Sequence, residues 1–235
     1  MTGNPKGKKW QAWDEVVITR ALDLEQGTDL SYINIIKPWV LDNVLKFTNE
    51  KSNILDIGCG CGYLTNCIYG LNRQNITGID ISQISVDYAN KKYSHINFQY
   101  QDICTMVGNE QFDLCTAVMV LNNCPNIDSF LTSVYKALLP NGHMLIVLPH
   151  PCFWPIKHIK NNSFLYEKDE SYNIIFSTKG RSDYNADITY YHRSVSSYLN
   201  SLYKNGFQIK MICELCETIN DKSPDIMCIH VYKPK

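Results

Sequence analysis

The stretch Ile54-Leu55-Asp56-Ile57-Gly58-Cys59-Gly60-Cys61-Gly62-Tyr63 decides the fold of this 235-residue chain. An apolar run leads directly into three glycines at alternate positions, and apolar residues follow at helical spacing at Leu64, Cys67, Ile68 and Leu71. The pattern predicts a buried strand, a tight turn and a helix. Because glycine has no Cβ and reaches positive φ freely, such a turn lets the backbone approach a ligand closely. The stretch therefore predicts the opening of a nucleotide-binding βαβ unit.

The glycine spacing and two nearby acids describe the ligand. The motif reads Asp-x-Gly-x-Gly-x-Gly, so its last interval is shorter than in the dinucleotide motif Gly-x-Gly-x-x-Gly, and Asp56 stands two residues before the first glycine. A carboxylate there repels a pyrophosphate and attracts a cation such as an ammonium group. Residues 76–80 predict a second short strand that ends in Asp80, 22 residues after Gly58, where a carboxylate binds ribose hydroxyls. A ligand with a ribose, a cationic group and no phosphate fits both acids.

Three further segments continue the pattern along the chain. They are residues 98–103 (FQYQDI), 112–123 (FDLCTAVMVLNN) and 138–147 (LLPNGHMLIV). With the glycine motif, their order and intervals resemble the class I S-adenosylmethionine-dependent methyltransferases. The resemblance implies S-adenosyl-L-methionine as the cofactor. It also implies an α/β fold with a Rossmann-like seven-stranded, mostly parallel sheet whose last strand is antiparallel.

The same resemblance implies a set of cofactor-binding residues. They are Asp56, Gly58, Gly60, Gly62, Asp80, Ile81, Asp102, Ile103 and Met119. Asp80 is expected at the ribose, Asp102 and Ile103 at the adenine, and Asp56 and Met119 beside the methionine part of the ligand. No metal is expected, although Cys59-x-Cys61 and the pair at 213 and 216 leave a redox or metal role open. A second pair with zinc-finger spacing is missing.

The amino-acid composition limits the classes of partner that we expect. Lys and Arg number 22 against 23 acids, which gives a net charge of -1 and no basic excess to neutralise phosphates, so nucleic acid is not an expected partner. No apolar run reaches membrane-spanning length, and the first thirty residues lack the apolar centre of a signal peptide. We therefore expect a soluble, cytoplasmic protein, with no membrane partner and with its ten cysteines reduced. It is expected as a monomer or a homodimer.

Residues 1–235 are expected to form one methyltransferase domain, with residues 1–48 as an N-terminal helical lid. The first nine residues offer nothing to bury, and two helices are predicted around 14–22 and 37–47. In the resembling family, helices at this position enclose the substrate. The aromatic residues of this segment either help to enclose the substrate or pack the helices onto the domain. They are Trp10, Trp13, Tyr32 and Trp39.

Residues 149–189 interrupt the alternation of strands and helices between the fifth strand and the last helix. Short strands are predicted at 164–166 and 172–176, within a segment rich in aromatic residues. A connection of about forty residues is too long to lack structure inside a compact domain. We interpret it as an inserted substrate cap. The alternative is a hairpin that packs on the sheet edge.

Two histidines are candidates for a catalytic base. His150 follows the fifth strand between two prolines, and His192 precedes Arg193 in a segment similar to one that borders the acceptor pocket in the resembling family. An imidazole with a pKa near neutrality can take a proton from a hydroxyl acceptor, but either ring could instead serve the structure. Arg193 could bind an acceptor carboxylate bidentately or pair with an acid of the fold. The expected acceptor-binding residues are Tyr32, Trp154, Tyr191 and Arg193.

The leading functional hypothesis is methyl transfer from S-adenosylmethionine to an oxygen or nitrogen of a small metabolite or natural product. One alternative is N-methylation of a peptide N terminus. Another is a protein that binds S-adenosylmethionine without catalysis. A nicotinamide oxidoreductase is disfavoured by Asp56 and by the glycine spacing.

Overall fold

The computed structural model describes residues 11–159, 164–178, 184, 186–216 and 222–235. In this part of the chain the helices are α1 (Gln11–Gln26), α2 (Lys37–Phe47), α3 (Tyr63–Tyr69), α4 (Gln83–Lys92), α5 (Ile127–Ala137), α6 (Trp154–His158) and α7 (Val195–Lys204). The strands are β1 (Ile54–Ile57), β2 (Ile76–Asp80), β3 (Asn97–Tyr100), β4 (Phe112–Val118), β5 (Leu138–Pro149), β6 (Glu170–Ile175), β7 (Asp187–His192), β8 (Gln208–Leu215) and β9 (Ile226–Tyr232). The predicted tail at 1–9 and Trp10 lie outside the described residues.

Seven strands form one sheet in the order β3-β2-β1-β4-β5-β9-β8. Neighbours from β3 through β5 pair in parallel, whereas β9 is antiparallel to both β5 and β8. The prediction of a mostly parallel sheet with an antiparallel last strand is confirmed. The carboxyl ends of β1 to β4 meet at one edge, where ligands bind in this architecture.

The central strands of the sheet are largely buried on both faces, whereas the edge strands β3 and β8 are mostly exposed. Ile54 and Leu55 of β1 enter opposite cores. Ile54 packs with apolar residues of α2, α3 and α4, while Leu55 and Ile57 pack with those of α5 and α7. All three are at most 2% exposed. Burial of each such side chain contributes about 1.5–3 kcal/mol, so the apolar run stabilises the base of the glycine turn.

Side-chain caps fix where the helices around the sheet begin. Ser82 is the N-cap of α4, and its hydroxyl accepts from the backbone N–H of Ser85 at 3.0 Å. Ser194 caps α7 in the same way by accepting from Ser197 at 3.1 Å. Each cap satisfies an N–H that the helix leaves without a partner. Gly206, with φ +88°, follows the end of α7 in the left-handed conformation.

The insert differs from its prediction. Strands β6 and β7 form a separate antiparallel hairpin, but the strand predicted at 164–166 does not form. Lys168 donates its backbone N–H to the Leu165 carbonyl at 3.1 Å, which closes a turn. The backbone carbonyl of Tyr166 contacts His192 Nε2. The side-chain hydroxyl of Tyr166 accepts from the N–H of Val195. These turn and side-chain contacts replace a strand ladder.

The N-terminal segment packs on the insert. Helix α1 lies against α3, α4 and β7, and Val16 forms a buried cluster with Tyr184 and Ala186. Trp13 and Phe176 meet edge to face at 4.9 Å. A π-helix at Tyr32–Ile36, which was not predicted, leads directly into α2. Among the described helices, none has the length and apolar character needed to span a membrane.

Candidate cofactor and acceptor site

The three motif glycines form a left-handed turn between β1 and α3. Their φ angles are +68° at Gly58, +53° at Gly60 and +79° at Gly62. The N–H groups of Gly58 and Cys59 donate to the Ile79 carbonyl at 2.8 and 3.0 Å, so the turn is attached to β2. A side chain in this conformation costs about 1–2 kcal/mol per residue, which explains why glycine occupies all three positions.

The surroundings of the three glycines differ. Two of them pack against side chains, and the third borders open space. A Cβ on Gly58 would lie 2.4 Å from Val120 Cγ2, and one on Gly62 would lie 2.8 Å from Phe98 Cζ. A Cβ on Gly60 would meet no atom within 4 Å. Gly60 therefore borders open space at the sheet edge, and a bound group there would contact its backbone directly.

Asp80, at the end of β2, links the turn to its neighbours. One carboxylate oxygen accepts from the N–H of Gly60 and the other from the N–H of Ser82, both at 2.8 Å. Its carbonyl accepts from the N–H of Gln101 at 2.9 Å, which places the end of β3 alongside. Burial raises the pKa of Asp80, although the amide donors oppose the shift. The half-buried Ile81 follows directly.

Asp102 and Ile103 lie on the turn after β3. The Asp102 carboxylate accepts from the N–H of Cys104 at 2.8 Å and so starts the short helix Ile103–Thr105. Ile103 is 6% exposed and packs in the core on the α5 face. The structure thus brings the predicted ribose and adenine residues to one edge, beside the glycine turn.

Asp56 lies behind the turn rather than on its open side. Its side chain is 2% exposed, and its two oxygens accept from the hydroxyls of Thr65 and Thr116, each at 2.6 Å. Burial raises the pKa of Asp56 to about 6, although both threonines oppose the shift. The expectation that Asp56 lies beside the methionine part of the ligand stays a prediction, and the two threonines are the partners that the structure gives its carboxylate. Sequence reasoning missed both threonines.

Met119 gives the end of β4 an uncommon backbone conformation. Its φ is +60°, which is strained for a residue with a side chain. Its N–H donates to the Val147 carbonyl at 2.7 Å, and its own carbonyl accepts from the side-chain amide of Asn123 at 2.9 Å. These contacts hold the following residue, Val120, against Gly58.

The structure corrects the role expected of His150. The ring is 1% exposed, its Nδ1 accepts from the N–H of Cys152 at 3.1 Å, and its Nε2 contacts Glu214 Oε1 at 2.7 Å. Because Nδ1 is an acceptor, the neutral ring carries its proton on Nε2 and donates it to Glu214. Neither nitrogen is left to take a proton from a substrate.

His192 has a different arrangement. Its Nε2 lies 2.8 Å from the Tyr166 carbonyl, which only a protonated nitrogen can satisfy. Its Nδ1 is buried without a partner among the described residues, and the residue is 1% exposed. Burial lowers the pKa of His192, so the ring is neutral at pH 7 and Nδ1 keeps a free lone pair.

Arg193 does not face a substrate carboxylate. Its guanidinium donates to the carbonyls of Leu121, Cys124 and Pro125 at 3.1, 2.7 and 3.1 Å, and the residue is 6% exposed. The expectation of a bidentate contact with an acceptor carboxylate does not fit this arrangement, because the carbonyls accept from three of the five guanidinium N–H groups and the residue is buried. It fastens the end of β7 to the loop after β4. Its guanidinium also lies 5.8 Å from the centre of the Tyr191 ring, the third aromatic residue predicted to bind the acceptor.

Tyr32 is buried beside the glycine turn. It is 8% exposed, and burial followed by the charge of Asp56 raises its pKa well above the usual range. Asp29 accepts from the Tyr32 N–H at 3.1 Å and forms an ion pair with Arg20, whose guanidinium lies 5.3 Å from the centre of the Tyr32 ring. Sequence reasoning missed this ion pair, since nothing in the spacing of the two residues marks it.

Trp154 packs against other aromatic rings, and the cysteines form no disulfide. Trp154 stacks on His158 at 4.4 Å and contacts Tyr190 at 4.9 Å. All ten cysteines are free thiols, and burial raises the pKa of both Cys59 and Cys61 in the glycine turn. Within the described ranges, no three metal-binding side chains gather at one point.

Comparisons with known proteins also indicate a methyltransferase. A family model described as a methyltransferase domain matches residues 48–214. A ubiquinone biosynthesis O-methyltransferase of Glaesserella parasuis is 32% identical over 128 residues, which cover 47% of this chain and 54% of that protein. The match thus spans about half the length of the curated relative.

Solved structures share the fold. An S-adenosylmethionine-dependent methyltransferase from Mesorhizobium loti superposes with a TM-score of 0.66 at 19% identity, covering 82% of this chain and 96% of that one. A 1,6-didemethyltoxoflavin-N1-methyltransferase from Burkholderia thailandensis gives 0.58 at 13% identity, covering 100% and 94%. The family match covers more than half of the chain and agrees with the sheet order and the glycine turn. The chain therefore belongs to the methyltransferase-domain family, the class I S-adenosylmethionine-dependent methyltransferases.

Proposed function

We propose that this protein transfers the methyl group of S-adenosylmethionine to an oxygen or nitrogen of a small molecule. The observation that carries the proposal is the edge where Gly60 borders open space between Asp80 and the end of β4. Relatives named as an O-methyltransferase of ubiquinone biosynthesis and an N1-methyltransferase support a small-molecule acceptor. The acceptor atom stays open between oxygen and nitrogen.

The residues at this edge fit the cofactor. Asp80 offers the ribose hydroxyls a carboxylate that is already oriented by two amide donors. Asp102, Ile81 and Ile103 would hold the adenine, and Met119 would lie beside the methionine part. When bound, S-adenosylmethionine supplies both the electrophilic methyl group and the leaving thioether.

Asp56 would act on the ligand through its charge and not by contact. It is fixed behind the turn by Thr65 and Thr116, and it is a carboxylate above pH 6. A negative charge close behind the glycine turn favours a cationic ligand over a pyrophosphate. The preference for a cationic ligand is the one predicted from the sequence, but here it comes from a buried charge and not from a direct contact.

His192 is the base that we assign. Its free Nδ1 can accept the proton of a hydroxyl acceptor, while the Nε2 contact to the Tyr166 carbonyl fixes the tautomer. A neutral amine acceptor would need only positioning. We do not assign His150 as a base, because its Nε2 contacts Glu214 and its Nδ1 accepts from the N–H of Cys152.

The lid and the cap are proposed to enclose the acceptor together. Helix α1 contacts both the described part of the insert and the helices beside the glycine turn, so the described parts of the two segments border one region. Exclusion of water there strengthens each polar contact to the substrate. We also propose a cytoplasmic location, since ten free thiols suit a reducing compartment.

Calorimetry with S-adenosylhomocysteine tests the proposal. Asp80→Ala should weaken binding about tenfold or more, because a charged hydrogen-bond acceptor for the ribose is lost. Asp87→Ala, which removes an exposed carboxyl from α4, is the matched control. Circular dichroism establishes that both variants are folded. Unchanged affinity in folded Asp80→Ala refutes the cofactor assignment.

A further inference from the structure

Two thiols lie side by side at the edge of the sheet where the cofactor would bind, here called the cofactor edge. Cys104 is in the short helix Ile103–Thr105 after β3, and Cys124 follows the short helix Leu121–Asn123 after β4. Their side chains share a hydrogen bond and pack on the same apolar core, beside α5. The two residues are 20 positions apart, so no spacing motif in the sequence marks them as a pair.

Backbone contacts hold each of the two residues in place. The N–H of Cys104 donates to the Asp102 carboxylate at 2.8 Å, and the N–H of Cys124 donates to the Leu121 carbonyl at 3.3 Å. The Cys124 carbonyl accepts from the Arg193 guanidinium at 2.7 Å. The hydrogen bond between the thiols therefore joins two turns that are each fixed by their own contacts, and a cation lies beside one of them.

The surroundings of the pair favour a thiolate on Cys124. The hydrogen bond from Cys104 and the charge of Arg193 lower the pKa of the Cys124 thiol, although burial opposes the shift. The same hydrogen bond, followed by burial, raises the pKa of Cys104, so Cys104 keeps its proton and Cys124 gives one up. The thiolate is the form of cysteine that reacts with oxidants.

Cys104 connects the pair to solvent. It is half-buried and lines a groove of about 610 Å³ between its own turn and α5, whereas Cys124 is 8% exposed. The groove gives a small molecule a route to the two sulfur atoms. Burial of Cys124 favours an oxidant the size of hydrogen peroxide over a bulky disulfide such as oxidised glutathione.

We infer that Cys104 and Cys124 are a site of reversible oxidation, at which hydrogen peroxide forms a disulfide that alters the cofactor edge. The Cys124 sulfur attacks one oxygen of the peroxide, the O–O bond breaks, and the released hydroxide takes up a proton to become water. The Cys104 sulfur then attacks the sulfenic acid of Cys124, the S–O bond breaks, and the proton of Cys104 leaves with it as a second water. Two thiols are oxidised to one disulfide, and one peroxide is reduced to two waters.

The disulfide would displace the turn after β3. Its sulfur atoms are about 2.05 Å apart, which is closer than two hydrogen-bonded thiols. Asp102 and Ile103, which directly precede Cys104, are the residues assigned to the adenine. We expect the oxidised protein to bind S-adenosylhomocysteine about tenfold more weakly. This effect rests on the proposed function, whereas formation of the disulfide does not.

A second pair of neighbouring cysteines provides an internal control. Cys213 and Cys228 are opposite each other in β8 and β9. Burial, followed by the charge of Cys213, raises the pKa of Cys228, and Cys228 is 0% exposed. We therefore expect this pair to stay reduced under conditions that oxidise Cys104 and Cys124.

Peptide mapping by mass spectrometry tests the inference. The reduced full chain is treated with a small excess of hydrogen peroxide, alkylated and digested without a reductant. The peptides of Cys104 and Cys124 should be linked by a disulfide that dithiothreitol cleaves. Calorimetry on the same samples should show that the affinity for S-adenosylhomocysteine falls about tenfold on oxidation and recovers on reduction.

Cysteine variants assign both effects to this pair. Cys104→Ser should abolish the linked peptides and the loss of affinity, and Cys124→Ala should do the same; circular dichroism establishes that both are folded. In the reduced state, Cys104→Ser should bind S-adenosylhomocysteine within about twofold of the native protein. Cys216→Ser, which removes an exposed thiol, is the matched control and should keep both effects.

Three outcomes contradict these expectations in different ways. Cys104 and Cys124 that stay reduced, or that are linked only to other cysteines, remove the oxidation site. A disulfide between them that leaves the affinity for S-adenosylhomocysteine unchanged refutes its effect on the cofactor edge. Reduced native protein that does not bind S-adenosylhomocysteine refutes the proposed function, while the peptide map still decides whether the disulfide forms.

Discussion

Asp56→Asn should stabilise the free protein at alkaline pH. The Asp56 carboxyl has a pKa of about 6 in the fold against 3.8 for an ordinary carboxyl, because it is buried. The difference is about two pH units at about 1.4 kcal/mol each, so the fold favours the neutral form by about 3 kcal/mol. Asparagine is neutral, has nearly the same shape, and can still hydrogen-bond to Thr65 and Thr116.

The pH dependence of this gain has a definite sign. Above pH 6 the carboxyl is charged in both the folded and the unfolded chain, so the variant should be more stable by about 2–3 kcal/mol at pH 8. As the pH falls from 6 to 4, the folded protein takes up a proton before the unfolded chain does. The native protein therefore recovers stability, and the difference should shrink to roughly 0.5 kcal/mol at pH 4.

Urea unfolding at pH 8, 6 and 4 measures this difference. Asp87→Asn removes an exposed carboxyl and should show no comparable gain at any of these pH values. Binding of S-adenosylhomocysteine to Asp56→Asn should weaken, since one negative charge behind the glycine turn is lost. A variant that is less stable than the native protein at pH 8, or a difference that does not change with pH, refutes the assignment of a buried, costly charge to Asp56.

Two further predictions concern the base and the turn. If His192 is the base, kcat/KM should be independent of pH through the neutral range and fall only at more acidic pH than for an ordinary imidazole, because burial lowers the pKa of the ring. His192→Gln should reduce kcat by about 10². A rate that still rises between pH 7 and 9 contradicts this role. Gly60→Ala should cost about 1 kcal/mol of stability and weaken S-adenosylhomocysteine binding, whereas Gly62→Ala should cost at least about 2 kcal/mol because its Cβ would lie 2.8 Å from Phe98. Urea unfolding and calorimetry on both variants measure these effects, and the opposite order of stabilities would show that the turn is misassigned.

Local chemistry explains which parts of the fold the sequence predicted. The run from Ile54 through Gly62 specifies its strand and turn within nine residues, because burial and positive φ are demands on single positions. Ser82 and Gly206 mark helix ends by the same kind of local demand. Asn141, near the start of β5, adopts φ +64°, a conformation that asparagine tolerates.

The roles of polar side chains depend on partners far along the chain. Asp56 is 60 residues from Thr116, and Arg193 is about 70 residues from the carbonyls that it binds. Before those segments are packed together, an acid near a glycine turn and an arginine near a pocket both suggest ligand contacts. The pairing of β6 with β7, in place of the strand predicted at 164–166, depends on tertiary contacts in the same way.

The costly features of the free protein gather at the same edge of the sheet. Asp56 holds a charge where the fold disfavours one, Met119 has a strained backbone, and Asn122 Oδ1 meets no donor among the described residues. Each reduces stability, and packing alone would be served by a neutral side chain, a relaxed turn or an apolar residue. A cationic ligand would offset the first cost. A costly charge placed where a cationic ligand would relieve it is the relation expected when stability has been given up for binding.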